Sequence, residues 1–342
     1  MQSLKQGAGA VLLVGSIASG EPTFAADDPA PVIRDPKGTV SLTIDNDLFG
    51  GSDRYYTSGF LLSYRSPADV PPGWLDRFAD SLQPVVSADS ARRWGVGLGQ
   101  KIFTPDDTDR RNPDPDDRPY AGWLYGTFTL SSATERRYGS LELQLGVVGP
   151  AALGEQVQNN VHDFMNSDRA FGWDYQLNNE PGVNLVYSRL WRYNFAFDED
   201  RPDGLAWGIV PNLQASVGNV QTYAGTGALM RVGSNLDVDF GPPRTRPSVA
   251  GSAFVDPAER WGWYLFAGLD GRAIARDIFL DGNTWQDSRS VDKKYLVGDA
   301  NLGAAVVFPW GRLSYVHTFR SKEFDGQETY AEFGSITLSV RF

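Results

Sequence analysis

The 342-residue chain contains no cysteine and only two histidines. Beyond its N-terminus, no stretch approaches the roughly eighteen consecutive apolar residues of a membrane-crossing helix. The lack of cysteine excludes a disulfide framework and thiolate metal sites, and leaves the redox compartment open. The lack of an apolar run means that, if the chain enters a membrane, it does so as strands. Lys and Arg are outnumbered 31 to 42 by Asp and Glu, giving a net charge of -11. The basic residues are scattered rather than gathered in a stripe, which argues against nucleic acid as a partner. An acidic surface suits divalent cations.

What is present is alternation. "TVSLTIDND" places Val40, Leu42 and Ile44 on one face, and "SLELQLGVVG" does the same with Leu141, Leu143 and Leu145. "SGFLLSYR", "GVNLVYSRLW" and "GRLSYVHTF" repeat the pattern. Turn chemistry separates the runs at "GGSD", "RPDG", "FDGQ" and the abrupt "FPWGR". About twelve such segments are counted, each of about ten residues, the length of a tilted strand crossing a bilayer. Aromatic content of 13%, as in "RWGWYLF" and "AGWLYGTF", supplies interfacial girdles. The last residues, "SITLSVRF", place Ile336, Leu338 and Val340 on one face before Phe342, in the manner of the terminal strand of bacterial outer-membrane barrels. The expected fold is therefore an all-β, about 12-stranded antiparallel outer-membrane β-barrel with short helical insertions. A soluble β-sandwich is the alternative.

Lys5, the apolar stretch Ala8 to Ala18 and the small residues before Asp27 read as a secretory signal cleaved after Ala25. This divides the chain into a signal at 1–25, an extension at 26–37 and a barrel at 38–342. Two stretches depart from strand patterning. "TPDDTDRRNPDPDDRPYAG", Thr104 to Gly122, is a Pro- and Asp-rich loop too long for a hairpin turn. The other, Ala151 to Met165, is the one amphipathic helix that the pattern singles out, with Val157, Val161, Phe164 and Met165 on its apolar face.

On that helix Glu155, Gln158 and His162 form a polar stripe that could face a site. An imidazole is the usual general base for activating water, although a helical histidine is more often simply exposed or satisfied. His317, inside an alternating run, has the plainer structural reading. Asp45, Asn46, Asp47 and Asp53 gather oxygen ligands suited to a hard cation, or else form an acidic hairpin loop.

"NDLFGGSDRYYTSGFLLSY", "RPYAGWLY", "GVVGPAALGEQVQNNVHDF" and "NEPGVNL" resemble the lipid A deacylase family of Gram-negative outer membranes, esterases that remove the 3′-linked acyloxyacyl group. The resemblance runs from Val40 to Phe342 and is densest before Leu185. It implies a twelve-stranded barrel in the outer membrane, acting as a monomer among outer-membrane lipids on lipid A of lipopolysaccharide. It also implies a Ca²⁺-dependent site near the outer leaflet, between the barrel wall and short helical insertions. By position, the resemblance assigns catalytic roles to Asn46, Asp47, Thr57, Gln158, His162 and Asp168. Asp47 and Asn46 would hold the cation, and Arg110, Arg111 and Lys101 a glucosamine phosphate. His162 would deprotonate a water while the cation stabilises the oxyanion, much as in secreted phospholipases A2. A family member carries lysine where this chain has Arg110, and a second acidic residue where it has Leu48. A non-enzymatic porin-like barrel and a serine-dependent outer-membrane phospholipase are the rival readings.

Overall fold

In a computed structural model, the described residues are 35–47, 55–68, 71–82, 90–166, 168–198, 200, 204–242 and 261–342. The signal segment 1–25 and Asp53 lie outside them. Thirteen strands form one antiparallel sheet: β1 (Thr39–Asn46), β2 (Tyr55–Arg65), β3 (Ala91–Thr104), β4 (Ala121–Ala133), β5 (Arg137–Val148), β6 (Glu180–Trp191), β7 (Tyr193–Ala196), β8 (Ala206–Gly218), β9 (Gln221–Gly233), β10 (Gly262–Asp277), β11 (Leu296–Phe308), β12 (Gly311–Arg320) and β13 (Ala331–Arg341). Short β7 pairs with β8 at Tyr193–Ile209, directly beyond the β6–β8 pairing that runs to Leu190–Asn212. β6 and β7 are thus one wall strand broken at Arg192, and the wall has twelve strands. The β6–β8 and β1–β13 ladders close it.

Closure satisfies the main-chain donors and acceptors that a bilayer cannot. It also sorts the side chains, because successive residues point to opposite faces. Val40, Leu42 and Ile44 point outward, paired with Val340, Leu338 and Ile336 on one side and with Tyr64, Leu62 and Phe60 on the other. Ser41, Thr43 and Asp45 point inward, and Ser41 and Thr43 hydrogen-bond Ser339 and Thr337 across the ladder. The two-residue turn at Pro309–Trp310 is where the sequence places it.

Side chains occupy the lumen at both ends. At one end α3 (Ile278–Asp281) enters it and Phe279 stacks on Phe103 at 4.1 Å, within a cluster containing Tyr56, Trp123, Tyr125 and Phe333. Arg320 pairs there with Asp299, and Arg118 with Glu323. At the other end the segment after β9 turns inward, so that Asp239 meets Arg231 at 2.7 Å, Arg312 at 2.6 Å and the Tyr264 hydroxyl at 2.6 Å, all fully buried. Beside this pairing lie Phe240, Phe266 and Val316.

A second amphipathic helix, α1 (Gly73–Ser81), lies between β2 and β3. The sequence pattern, which singles out only the later helix, does not anticipate it, because nine residues give barely two turns of periodicity.

Burial pushes the Asp239 carboxyl up, but Arg312 and Arg231 outweigh it and hold it below the ordinary carboxylate value. A lowered folded value means that the pairing stabilises at neutral pH and is lost as pH falls through the carboxylate range. Asp239→Ala should destabilise the barrel by ~3–5 kcal/mol, because two guanidiniums remain buried without their carboxylate. Heat-modifiable electrophoretic migration against temperature checks this, and an unchanged transition would contradict it.

Candidate active site

Residues directly opposite in a ladder point to the same side of the sheet. Following the outward row to the rim gives Asn46 opposite Ser58, Ser58 opposite Ile102, and Ile102 opposite Gly122. One pair below, Gln100 lies opposite Phe60 and Leu124, and its Nε2 donates to the Ala152 carbonyl at 2.6 Å. The insertion between β5 and β6 therefore sits on the outer side of the wall rather than in the lumen. Glycines permit this contact. A Cβ on Gly122 would meet Ala152 Cβ at 3.1 Å, and one on Gly154 would meet the Trp173 ring at 2.7 Å.

The helix α2 (Gly154–Met165) in this insertion turns Gln158 and His162 toward the protein, while Glu155, the third residue of the sequence's polar stripe, is exposed. Gln158 is 2% and His162 8% exposed, whereas Val161 is exposed and Phe164 is 88% exposed. Burial thus runs along the Val157, Gln158 and His162 side of the helix, and the apolar Val161 and Phe164 lie exposed together with Glu155 and Asp163. Val157 packs on Ile102, Tyr120, Ala170 and Trp173, which fixes the helix to the rim. The helix is entered through Leu153 at φ 59°, a left-handed conformation that costs an L-residue about 1 kcal/mol or more. It ends at Asn166, which is also left-handed.

Two contacts set the chemistry. The Trp173 indole, a donor only, gives its N–H to Gln158 Oε1 at 2.9 Å. This orients the Gln158 amide so that its NH₂ points elsewhere, buried and without a hydrogen-bond partner among the described residues. His162 Nδ1 meets the main-chain carbonyl of Asp168. A carbonyl only accepts, so Nδ1 carries the hydrogen and the neutral ring keeps its lone pair on Nε2. The 168–170 segment is held by Asn159, whose Oδ1 accepts from Ala170 N at 3.0 Å, and by Arg169, whose Nε donates to Asp163 at 2.8 Å. Asp168 thus acts on the ring through its backbone, and its side chain is exposed.

The oxygen-rich cluster divides between the two faces. Asp45 points inward and accepts from Tyr56 at 2.7 Å and Ser335 at 2.6 Å. Asn46 belongs to the outward row, and Asp47 is buried just beyond it. Thr57 is the extra residue of a β-bulge between Tyr56 and Ser58, and its hydroxyl meets that of Thr104 at 2.7 Å. A bulge re-aims a side chain at the end of a strand. Among the described residues, no three of the His, Cys, Asp or Glu side chains group as a metal site.

Lys101 lies opposite Trp123, one residue out of phase with the outward row, and so faces the lumen near Asp45 and Glu142. The wall separates it from His162. Arg110 and Arg111 are exposed on the loop after β3, which the Phe171 N–H to Thr108 carbonyl bond, 3.0 Å, ties to the loop after α2. Arg110 pairs with Asp114 at 3.2 Å, and Arg111 lies 5.6 Å from the Phe171 ring. His317 is on the outer wall, with Nε2 2.6 Å from Glu332 and Nδ1 3.0 Å from the Tyr315 hydroxyl. Trp173, Asn159 and Thr104 escape the sequence reading, because an indole, an amide and a hydroxyl carry no spacing signature of their own.

These features define a plugged outer-membrane β-barrel with a helical site on the outside of its wall. Residues 10–342 match the family described as outer membrane protein LpxR, and the chain belongs to that family. The protein thus resides in the outer membrane, and the family resemblance of its motifs holds. Among solved structures it is similar to LpxR from Salmonella typhimurium, with a TM-score of 0.72 and 20% identity over 89% of this chain and 100% of that one. The β domain of the Bordetella autotransporter BrkA aligns with a TM-score of 0.44 and 11% identity, over 90% and 100% of the two chains. A comparison with curated protein sequences finds no match.

The two histidines should hold opposite tautomers when neutral: Nδ1–H in His162, facing a carbonyl, and Nε2–H in His317, facing a carboxylate. Long-range ¹⁵N–¹H correlation spectra resolve two rings readily. An Nε2–H tautomer at His162 would contradict the placement of its lone pair.

Proposed function

We propose that the protein is an outer-membrane esterase that removes the 3′-linked acyloxyacyl group of lipid A by attack of a His162-activated water. The observation that carries this reading is the His162 ring. Its Nδ1–H is given to a carbonyl, which puts the acceptor lone pair on Nε2, on the outer side of the wall. A lipid ester reaches a site on the outer wall without leaving the bilayer. The aromatic and charged clusters packed inside both ends of the barrel support this reading over an open channel.

The oxygens at the rim are a carboxylate at Asp47, an amide at Asn46 and hydroxyls at Thr57 and Thr104, with no sulfur or imidazole among them. Such a set suits a hard cation such as Ca²⁺. Asp47 and Asn46 would hold it, and when bound it would stabilise negative charge on the ester oxygen.

The chain's own residues supply the rest. Nε2 of His162 takes a proton from water as the oxygen attacks the ester carbonyl, and returns it to the departing alkoxide. The Gln158 NH₂, turned away from Trp173, is a donor for the developing oxyanion. Arg110 and Arg111, on the loop tied to that after α2, would bind a glucosamine phosphate through planar guanidinium contacts.

Mass spectrometry of lipid A incubated with purified protein tests the reading. His162→Ala should lower deacylation on the order of a hundred- to ten-thousand-fold, and His317→Ala should change it little. Asp168→Asn should stay near the parent rate, since the contact it makes is through the main chain. A chelator should abolish hydrolysis and added Ca²⁺ restore it. Full turnover in excess chelator removes the cation from the mechanism, and a folded His162→Ala barrel at the parent rate removes the histidine.

A further inference from the structure

The helix α1 lies on the outer side of the wall, at the end opposite the candidate site. Leu75 and Ala79 are buried against Leu130, with Trp94 and Phe128 beside them. Trp94 pairs with Leu130 and Val96 with Phe128, in the same outward phase as Leu98 and Ile102. Arg92, one outward position nearer the strand's start, reaches Asp76 and Asp80 at 2.7 Å each.

These contacts fix the helix's rotation about its own axis. With Leu75 and Ala79 against the wall, Asp76 and Asp80 occupy one flank, and Trp74 and Phe78 the other, since each pair is four residues apart. The acidic flank is clamped toward the barrel's end by Arg92. The aromatic flank must therefore point the other way, along the wall toward exposed Val96 and Leu98 in the barrel's apolar belt. Trp74 is 61% and Phe78 49% exposed there. Arg77 is on the face away from the wall.

We propose that α1 is an interfacial helix whose Trp74–Phe78 edge is buried in lipid of the periplasmic leaflet, continuous with the barrel's membrane-facing belt. The leaflet follows from the loops. The connections 105–120, 149–179 and 278–295 lie at the opposite rim, against 66–90 and 234–261 at this one, and in bacterial barrels the rim with the longer set of loops faces outward from the cell. Lipid is the occupant because the flank is contiguous with outward positions that the bilayer already covers. An indole at the edge of the hydrocarbon, with charges on the water side, is the arrangement expected of a helix lying in the interface. From Trp94 to Ile102, strand β3 rises about 26 Å, or about 20 Å along the membrane normal at a 40° tilt. One pair of strands therefore carries a lipid-seated helix near each face of the membrane. The inference rests on the outer-membrane location and not on the catalytic reading.

The absence of cysteine makes the test direct. Trp74→Cys, Phe78→Cys and Arg77→Cys, each labelled with a nitroxide and reconstituted in phospholipid vesicles, are compared by electron paramagnetic resonance. Oxygen accessibility should exceed that of a water-soluble nickel chelate at positions 74 and 78, with the reverse at 77. Heat-modifiable migration certifies that each variant is folded, and either aromatic position decides the matter alone. Nickel accessibility at 74 and 78 equal to that at 77 overturns the proposal. So does immobilisation of the labels with neither reagent accessible, which would indicate burial against protein.

Discussion

Closure of the sheet is the constraint on which the rest depends. In hydrocarbon an unpaired main-chain amide costs several kcal/mol, so β6 must meet β8 and β1 must meet β13 along their lengths. Once closed, the wall has two chemically different sides, and a side chain's role follows from its phase. Lys101 and Ile102 are neighbours in sequence, yet one joins a lumenal charge network and the other supports the helix that carries His162.

The lumen and the outer face then solve different problems. Inside, buried charges are matched: Asp239 between two arginines at one end, and Asp299 and Glu323 with Arg320 at the other. With aromatic layers they pack the two ends of the lumen. Outside, the wall serves as a bench on which α1 and α2 are mounted. Both helices are short, and both depend on outward residues of β3 and β4 for their position.

Much of this was legible in the sequence. The alternation of Val40, Leu42 and Ile44, the turn at Pro309, the terminal strand and the helix around His162 all emerge from period and punctuation. What could not be read is sidedness. A period of two is unchanged when inside and outside are exchanged, and a helix with one polar and one apolar face does not say which neighbour is lipid. Hence Gln158 and His162 of α2 face protein while Glu155 and Phe164 are exposed, a division that the pattern alone does not give. The acidic run at the end of β1 shows a second limit. Asp45 and Asp47 look alike in sequence, but only the fold supplies Tyr56 and Ser335 as partners for Asp45. The role of Asp168 is hidden for a third reason, since a main-chain carbonyl belongs to every residue and has no signature.

Among the described residues, packed side chains occupy the lumen at both ends, and the candidate site lies on the outer wall. Anything that reaches that site within the leaflet travels in two dimensions. Encounter then scales with the number of ligand molecules per unit area of leaflet rather than per volume of solution. Fluidity and lateral crowding become kinetic variables, and a leaflet that stiffens or fills with other lipids throttles the site without altering one residue of it.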